Sequence, residues 1–367
     1  MHIVYLIERI DKEGGIQRSL TVRVNYLIEK YKYKITIVCT EKDSGIPAYR
    51  IDDSVNFVFL EKLTSKKTTV GRIYLRFSQS QKILNTLKPD IIISVKYTLH
   101  NVFFRFIPHH AMLISEIREP LEQYNENVSI SFKSIINHKM RDYILRRQDV
   151  MIVLTEADKK SWGFKNIKVV PNPKTIHSDT VSKLNNKQVL AIGRLHKVKG
   201  FEKLLDVWNI VSKRHPDWIL KICGEGEEYL TLFSKAKTLG LSNSVMFTNK
   251  FMPVIPAFLE SSIFVLTSQF EAFGNVMVES KICGVPIVAF DAPNGPREII
   301  IDGKDGYVVE LNNIEEMAER IIFLIENPEI RLEMGAYAKK DSERYDEIKI
   351  VELYNNILVQ CVKGRNE

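Results

Sequence analysis

Two glutamates, Glu271 and Glu279, stand with seven residues between them in the run Thr267-Ser268-Gln269-Phe270-Glu271-Ala272-Phe273-Gly274-Asn275-Val276-Met277-Val278-Glu279, which continues to Cys283-Gly284-Val285-Pro286. The apolar stretch ending at Leu266 reads as a strand, so Glu271 leaves it on a loop, and Gly274 permits a tight approach. Asn275 is placed to cap the next helix, and Glu279 falls about one turn inside it. The free amides and positive dipole end of such a helix bind an anion such as a nucleotide phosphate, while the two carboxylates accept hydrogen bonds from sugar and ribose hydroxyls. A glutamate buried there without such partners would be costly.

Three other loops carry residues of related use. In Ala191-Ile192-Gly193-Arg194-Leu195-His196-Lys197-Val198-Lys199-Gly200, Arg194 and Lys199 flank a strand-to-helix turn. Two fixed cations there can hold a diphosphate and neutralise the charge that develops as it leaves; taken alone, they also read as solvated loop cations. Cys223-Gly224-Glu225-Gly226 ends a strand in a turn able to seat a base or ribose against backbone groups, and it is equally a plain strand-to-helix turn. The loop Glu8 to Gly15 contains Gly14-Gly15, which brings amides close to phosphate or simply turns the chain. The GxGxxG dinucleotide fingerprint is absent, which argues against NAD or FAD.

The elements that position these loops follow from the apolar pattern. Runs at Ile3 to Ile7, Ile35 to Cys39, Val55 to Leu60, Ile91 to Val95, Met112 to Ser115, Val150 to Leu154 and Lys168 to Val170 alternate with amphipathic helices, predicting a parallel sheet covered on both faces. A second series follows at Val189 to Ile192, Ile219 to Cys223, Val245 to Phe247, Ile263 to Leu266 and Pro286 to Phe290, after the interruption at Val170-Pro171-Asn172-Pro173. The expected fold is α/β, two doubly wound Rossmann-like domains facing a central cleft, with C-terminal helices. Residues 1–172 form the first domain and residues 173–345 the second. Residues 346–367 form a helix expected to return to the first.

With 367 residues, 45% hydrophobic and 26% charged, the chain has ordinary globular composition, and no apolar run reaches the ~18 residues of a membrane span. The start, Met1 to Ile7, lacks the features of a signal peptide. Cys39, Cys223, Cys283 and Cys361 lie far apart, which fits free thiols in a reducing compartment and predicts a cytoplasmic protein. Residues 1–170 hold 28 Lys+Arg and 18 Asp+Glu, a balance of +10, so the remainder, with 24 and 27, stands at −3. That asymmetry predicts an anionic partner for the first half, or merely a well-solvated surface. For an acidic membrane face the segments are Lys133 to Arg147, with Lys139, Arg141, Arg146 and Arg147 beside an apolar stripe, and the weaker Lys66 to Lys82. No basic aromatic surface or module for nucleic acid is recognised.

Glu271 and Glu279, together with the loop from Gly193-Arg194 to Lys199-Gly200, resemble the retaining family 4 glycosyltransferases of the two-Rossmann B-type fold. The resemblance spans nearly the whole chain: Gly14-Gly15-Ile16-Gln17-Arg18, Val170-Pro171-Asn172-Pro173, Gly224-Glu225-Gly226, Phe270 to Glu279 and Gly295-Pro296-Arg297-Glu298-Ile299-Ile300 follow in order. It implies that Glu271 contacts the donor sugar and Glu279 the ribose. Arg194 and Lys199 would hold the diphosphate, assisted by amides of Phe273, Gly274, Asn275 and Val276, with Gly15 approaching from the other domain. The last motif, preceded by Asp291-Ala292-Pro293-Asn294, looks like that of enzymes assembling bacterial capsule and other surface polysaccharides such as lipopolysaccharide. This implies a UDP-hexose or UDP-N-acetylhexosamine donor and a glycan or lipid-linked acceptor, with no cofactor; no Asp-x-Asp pair is placed convincingly after a strand, which predicts no metal ion. Many relatives carry an acceptor-side histidine where this chain has Ser115-Glu116-Ile117-Arg118-Glu119-Pro120. Arg118 is the expected substitute, followed by His100 and then by His109 or His110. The different-class alternative is a catalytically silent relative that binds another glycosyltransferase. A sugar phosphorylase would need a pyridoxal-phosphate lysine and a nucleotide-sugar epimerase the missing glycine fingerprint.

Overall fold

In a computed structural model, residues 1–41, 44–60, 69–96, 110–122, 132–248 and 253–364 are described. The chain divides into two compact units, Met1–Pro173 with Glu347–Glu367, and Lys174–Asp346.

The first unit is built on seven parallel strands: β1 (His2–Ile7), β2 (Lys34–Cys39), β3 (Asn56–Phe59), β4 (Ile91–Val95), β5 (Met112–Glu116), β6 (Val150–Val153) and β7 (Ile167–Val169), in the order β3-β2-β1-β4-β5-β6-β7. Every residue of β1, β4 and β6 is buried, as strands covered on both faces require. One face packs Ile3, Tyr5 and Ile7 against Leu20, Val24 and Leu27 of the helix Gly15–Tyr31 and against Val351, Tyr354 and Leu358 of the final helix, Glu347–Lys363. Each such side chain contributes about 1.5–3 kcal/mol when fully buried.

The second unit has six parallel strands: β8 (Gln188–Ile192), β9 (Ile219–Cys223), β10 (Val245–Phe247), β11 (Ile263–Leu266), β12 (Ile287–Phe290) and β13 (Gly306–Val309), in the order β10-β9-β8-β11-β12-β13. The helices Phe201–Arg214 and Ile314–Glu326 pack against each other, and Trp208 and Ile321 are fully buried in that core. Two doubly wound parallel sheets are thus found, as the alternation of apolar runs and helices predicts. Strand β13 is an addition. It begins with Gly306 because a Cβ there would lie 2.1 Å from the Ile287 carbonyl of β12. Pro328 opens the helix Pro328–Asp341 from its first turn, where its missing N–H removes no helical bond.

In both sheets the order reverses beside the first strand, between β1 and β4 and between β8 and β11. Loops leaving the carboxyl ends of strands at such a switch point form the binding crevice of this architecture.

Candidate active site

The loops after β8 and β11, which leave the second sheet at its switch point, are tied together by backbone and side-chain bonds. Gln269 N donates to the Val198 carbonyl at 2.7 Å, and Thr267 Oγ1 donates to the Lys199 carbonyl at 3.0 Å. Gly200 permits this approach: its φ is 64°, and a Cβ would lie 2.1 Å from the Thr267 carbonyl. Lys199 Nζ then reaches across to Glu271 Oε2 at 2.7 Å, and Ser268 Oγ donates to the same oxygen at 3.1 Å. The pair is partly shielded, with 27% of the lysine and 13% of the glutamate side chain exposed. Arg194, on the same loop as Lys199, is exposed and meets no carboxylate among the described residues. A cation and a hydrogen-bond acceptor therefore sit side by side at the switch point, with a second cation close in sequence.

The loop after β12 closes the floor beneath Glu271. Gly295 N donates to the Glu271 carbonyl at 2.8 Å, Asn294 bridges Glu271 in parallel register, and a Cβ on Gly295 would meet that carbonyl at 2.5 Å. The Gly-Pro that opens the helix Gly295–Ile299 thus fixes the backbone that carries the glutamate. The loop after β9 packs as closely: Leu195 N donates to the Glu225 carbonyl at 2.7 Å, and a Cβ on Gly224 would lie 1.9 Å from the Gly193 carbonyl. Glu225 itself is exposed.

The helix Asn275–Ile282 begins at this floor. Asn275 is its first helical residue rather than its cap; the cap is Gly274, whose φ of 85° and ψ of 66° few side chains tolerate. A cap without a side-chain acceptor leaves the first-turn amides without a capping oxygen from that residue, which suits an anion-binding end. Phe273 turns its ring into the interior, edge-on to Tyr345 at 5.5 Å, so only its backbone is available to a ligand. Val276 is half-buried, and Glu279 is 5% exposed. Two residues on, the fully buried Lys281 anchors the helix: its ammonium donates to the Ile299 carbonyl at 2.7 Å, to Asp305 Oδ2 at 2.9 Å and to Asp341.

The first unit places the remaining candidates. Gly14 precedes the helix Gly15–Tyr31, and its N–H donates to Tyr49 Oη at 3.2 Å. Arg118 does not line an open surface: its guanidinium is buried, donating to Asn172 Oδ1 at 2.7 Å and to Glu116, while its Nε has no partner among the described residues. Glu116 also accepts from both Nη atoms of Arg23, at 2.9 and 3.0 Å, and from Tyr354 Oη at 2.7 Å. Burial opposes ionisation of Glu116, yet Arg118 and Arg23 outweigh it and hold the carboxyl at about 2. His100 and His109 lie outside the described residues, and His110 is exposed.

Two residues of interest escaped the sequence reading. Ser268 supports Glu271, and its i, i+3 spacing from that glutamate was the available signal. At the end of β4, beside the first sheet's switch point, Lys96 adopts a φ of 87° and pairs with Glu119 at 2.8 Å. Burial works against its charge, but the bond to Glu119 and the nearby Glu8 and Glu41 raise its pKa overall. A positive φ in a side-chain-bearing residue is invisible to periodicity.

Residues 173–341 match the family described as Glycosyl transferases group 1. An uncharacterized glycosyltransferase of Haemophilus influenzae is 31% identical over 363 residues, covering 97% of this chain and 99% of its own length. The amylovoran biosynthesis glycosyltransferase AmsD of Erwinia amylovora is 28% identical over 369 residues, with the same coverage. Among solved structures, Anabaena HepE in complex with UDP and glucose matches with a TM-score of 0.78 at 21% identity, over 98% of this chain and 100% of that one. Sucrose-phosphate synthase from Thermosynechococcus elongatus matches with a TM-score of 0.80 at 14% identity, over 99% of each. At those identities the two structures speak for the fold alone.

Proposed function

Since the chain belongs to the group 1 glycosyltransferases, we propose that it is a retaining transferase that moves a hexose or N-acetylhexosamine from a UDP-sugar onto a glycan or lipid-linked acceptor in surface-polysaccharide synthesis. The observation that carries this reading is the grouping of Lys199, Glu271 and the start of the helix Asn275–Ile282 at the carboxyl ends of β8 and β11. One end of that group suits a diphosphate and the other the hydroxyls of a sugar. Glu279, buried one turn along, is assigned to the ribose.

In the proposed reaction the acceptor hydroxyl attacks the anomeric carbon on the face that the diphosphate leaves, and the departing phosphate takes the hydroxyl proton. Arg194, Lys199 and the first-turn amides after Gly274 stabilise the charge that grows on the diphosphate, so their effect falls on the transition state. Glu271 orients the donor sugar so that its oxocarbenium-like centre meets the acceptor. The reading includes no metal ion and no cofactor. The first unit is assigned to the acceptor, and its +10 balance is in keeping with a phosphate-bearing lipid carrier.

AmsD is named for the biosynthesis of amylovoran, and HepE was solved with UDP and glucose. Both names favour the polysaccharide and UDP parts of the proposal. Incubation of the protein with a panel of UDP-sugars, with and without bacterial lipid extract, tests it by release of UDP. Acceptor-dependent release from one sugar is the expected result. UDP binding without release from any donor would leave a silent relative.

A further inference from the structure

We propose that His196 is a positioning residue for the transfer reaction: its imidazole Nδ1, acting as a hydrogen-bond acceptor, holds the turn that carries Lys199, and protonation of the ring releases that turn. The inference rests on the reading of Lys199 as a cation of the transfer site and gives it a pH-sensitive support.

Lys199 ends a single 3-10 turn, Lys197–Lys199, set between His196 and Gly200. The turn is closed by Lys199 N donating to the His196 carbonyl at 2.9 Å and by Gly200 N donating to the Lys197 carbonyl at 3.0 Å. So short a turn satisfies few of its own amides, and an acceptor side chain at its start holds it as an N-cap holds a helix. His196 has the extended backbone of such a cap, with φ −136° and ψ 149°, and its Nδ1 accepts from Val198 N at 3.2 Å. The same turn supplies the carbonyls of Val198 and Lys199 that accept from Gln269 N and Thr267 Oγ1. Those bonds tie the loop after β8 to the loop after β11, and across that tie Lys199 Nζ reaches Glu271 at 2.7 Å.

The geometry also places the proton. A backbone N–H can only donate, so Nδ1 presents its lone pair to Val198 and the neutral ring carries its proton on Nε2. Nε2 lies 3.6 Å from Glu227 Oε1, in the turn before the helix Tyr229–Thr238, a setting that suits an N–H there. In the imidazolium both ring nitrogens are donors, so two N–H groups meet where one bond stood and the cap is lost. Besides Glu227, the charged groups around the ring are Lys197, Glu202, Lys203 and Glu228, which line the same cavity of about 170 Å³, and Arg194 on its own loop. The His196 side chain is 36% exposed, so protons reach it from solvent.

His196→Ala removes the acceptor, His196→Asn keeps one that cannot titrate, and Lys199→Ala reports on the lysine itself. Hydrogen exchange on peptides covering Arg194 to Phe201 needs no donor sugar. There His196→Ala should exchange about fivefold faster than the natural protein, and His196→Asn should stay within about twofold, as the loss and retention of a cap require. Turnover of the UDP-sugar that gives release should fall about fivefold in His196→Ala at neutral pH, with KM for the donor within about twofold, and His196→Asn should restore it. The turnover of the natural protein divided by that of His196→Asn should fall as the pH is lowered from about 8 to about 5, since only the natural ring loses its bond and the ratio cancels the other titrating groups. Unchanged exchange in His196→Ala, faster exchange without loss of turnover, or a ratio independent of pH each overturns the assignment. Loss of turnover in Lys199→Ala with none in His196→Ala removes the role of His196 alone, whereas full turnover in Lys199→Ala removes the reading of Lys199 and this role with it.

Discussion

Glu116→Gln is expected to loosen the first unit far more than the loss of one hydrogen bond would. The carboxylate is fully buried and accepts from Arg23, Arg118 and Tyr354. Glutamine keeps the shape, so little cavity is created, but it removes the only negative charge in the cluster among the described residues and replaces one acceptor by a donor. Two buried guanidiniums, 2% and 8% exposed by residue, are left facing an amide. Removing one partner of a buried ion pair costs about 3–5 kcal/mol. At ~1.4 kcal/mol per tenfold, that is a fall of about a hundredfold or more in amide protection where exchange reports opening of the unit. Hydrogen exchange read by mass spectrometry on peptides covering β5 and Glu347–Lys363 measures it, with β11 of the second unit as an unaffected reference. The sign of the pH dependence is fixed as well: the folded carboxyl is held down from its ordinary 4.5 to about 2. Its stabilisation is therefore complete above the ordinary value and is lost as pH falls through the range down to about 2. The variant should lack that component. Protection in the variant within about threefold of the natural protein would refute the claim that this charge holds the unit together.

Two predictions concern the transfer site. Glu279→Ala should weaken UDP binding, because its assigned partners are ribose hydroxyls present before and after reaction, whereas Glu271→Ala should lose turnover more than UDP affinity; calorimetric titration with UDP giving equal affinity for Glu279→Ala and the natural protein would remove the ribose assignment. Arg194→Ala and Lys199→Ala should each lower turnover at saturating donor by ~100-fold or more, with the double variant far from additive, as expected of groups acting on transition-state charge; near-normal turnover in either single variant would mark that residue as a solvated loop cation.

Local pattern made the sheets legible. Continuous apolar runs such as Ile91 to Val95 and Ile263 to Leu266 can be satisfied only by burial on both faces, and the observed strands fall on them. Strand β13 was missed because Gly306-Tyr307-Val308-Val309 is short and opens with glycine, a residue chosen for contact with β12 rather than for strand propensity. The cap of the helix Asn275–Ile282 was misplaced by one residue because Asn275 has cap chemistry, while the backbone turn needs the positive φ of Gly274. The pairing of Lys199 with Glu271 and the cage around Glu116 were not legible at all. Their partners lie 72, 93 and 238 residues apart in sequence, and no local rule reaches so far.

The final helix, Glu347–Lys363, belongs to the first unit although the second unit's entire sequence is made before it. During synthesis the first sheet therefore emerges without Val351, Tyr354 and Leu358, and Glu116 waits for one of its donors until the whole second unit has been made. The second unit, continuous from Lys174 to Asp346, has no such debt to a later segment. The order of completion on the ribosome is thus the reverse of the order of the units in the gene. A stop codon placed just after residue 346 would leave a second unit with all its strands and a first unit open along the face that its last helix should cover.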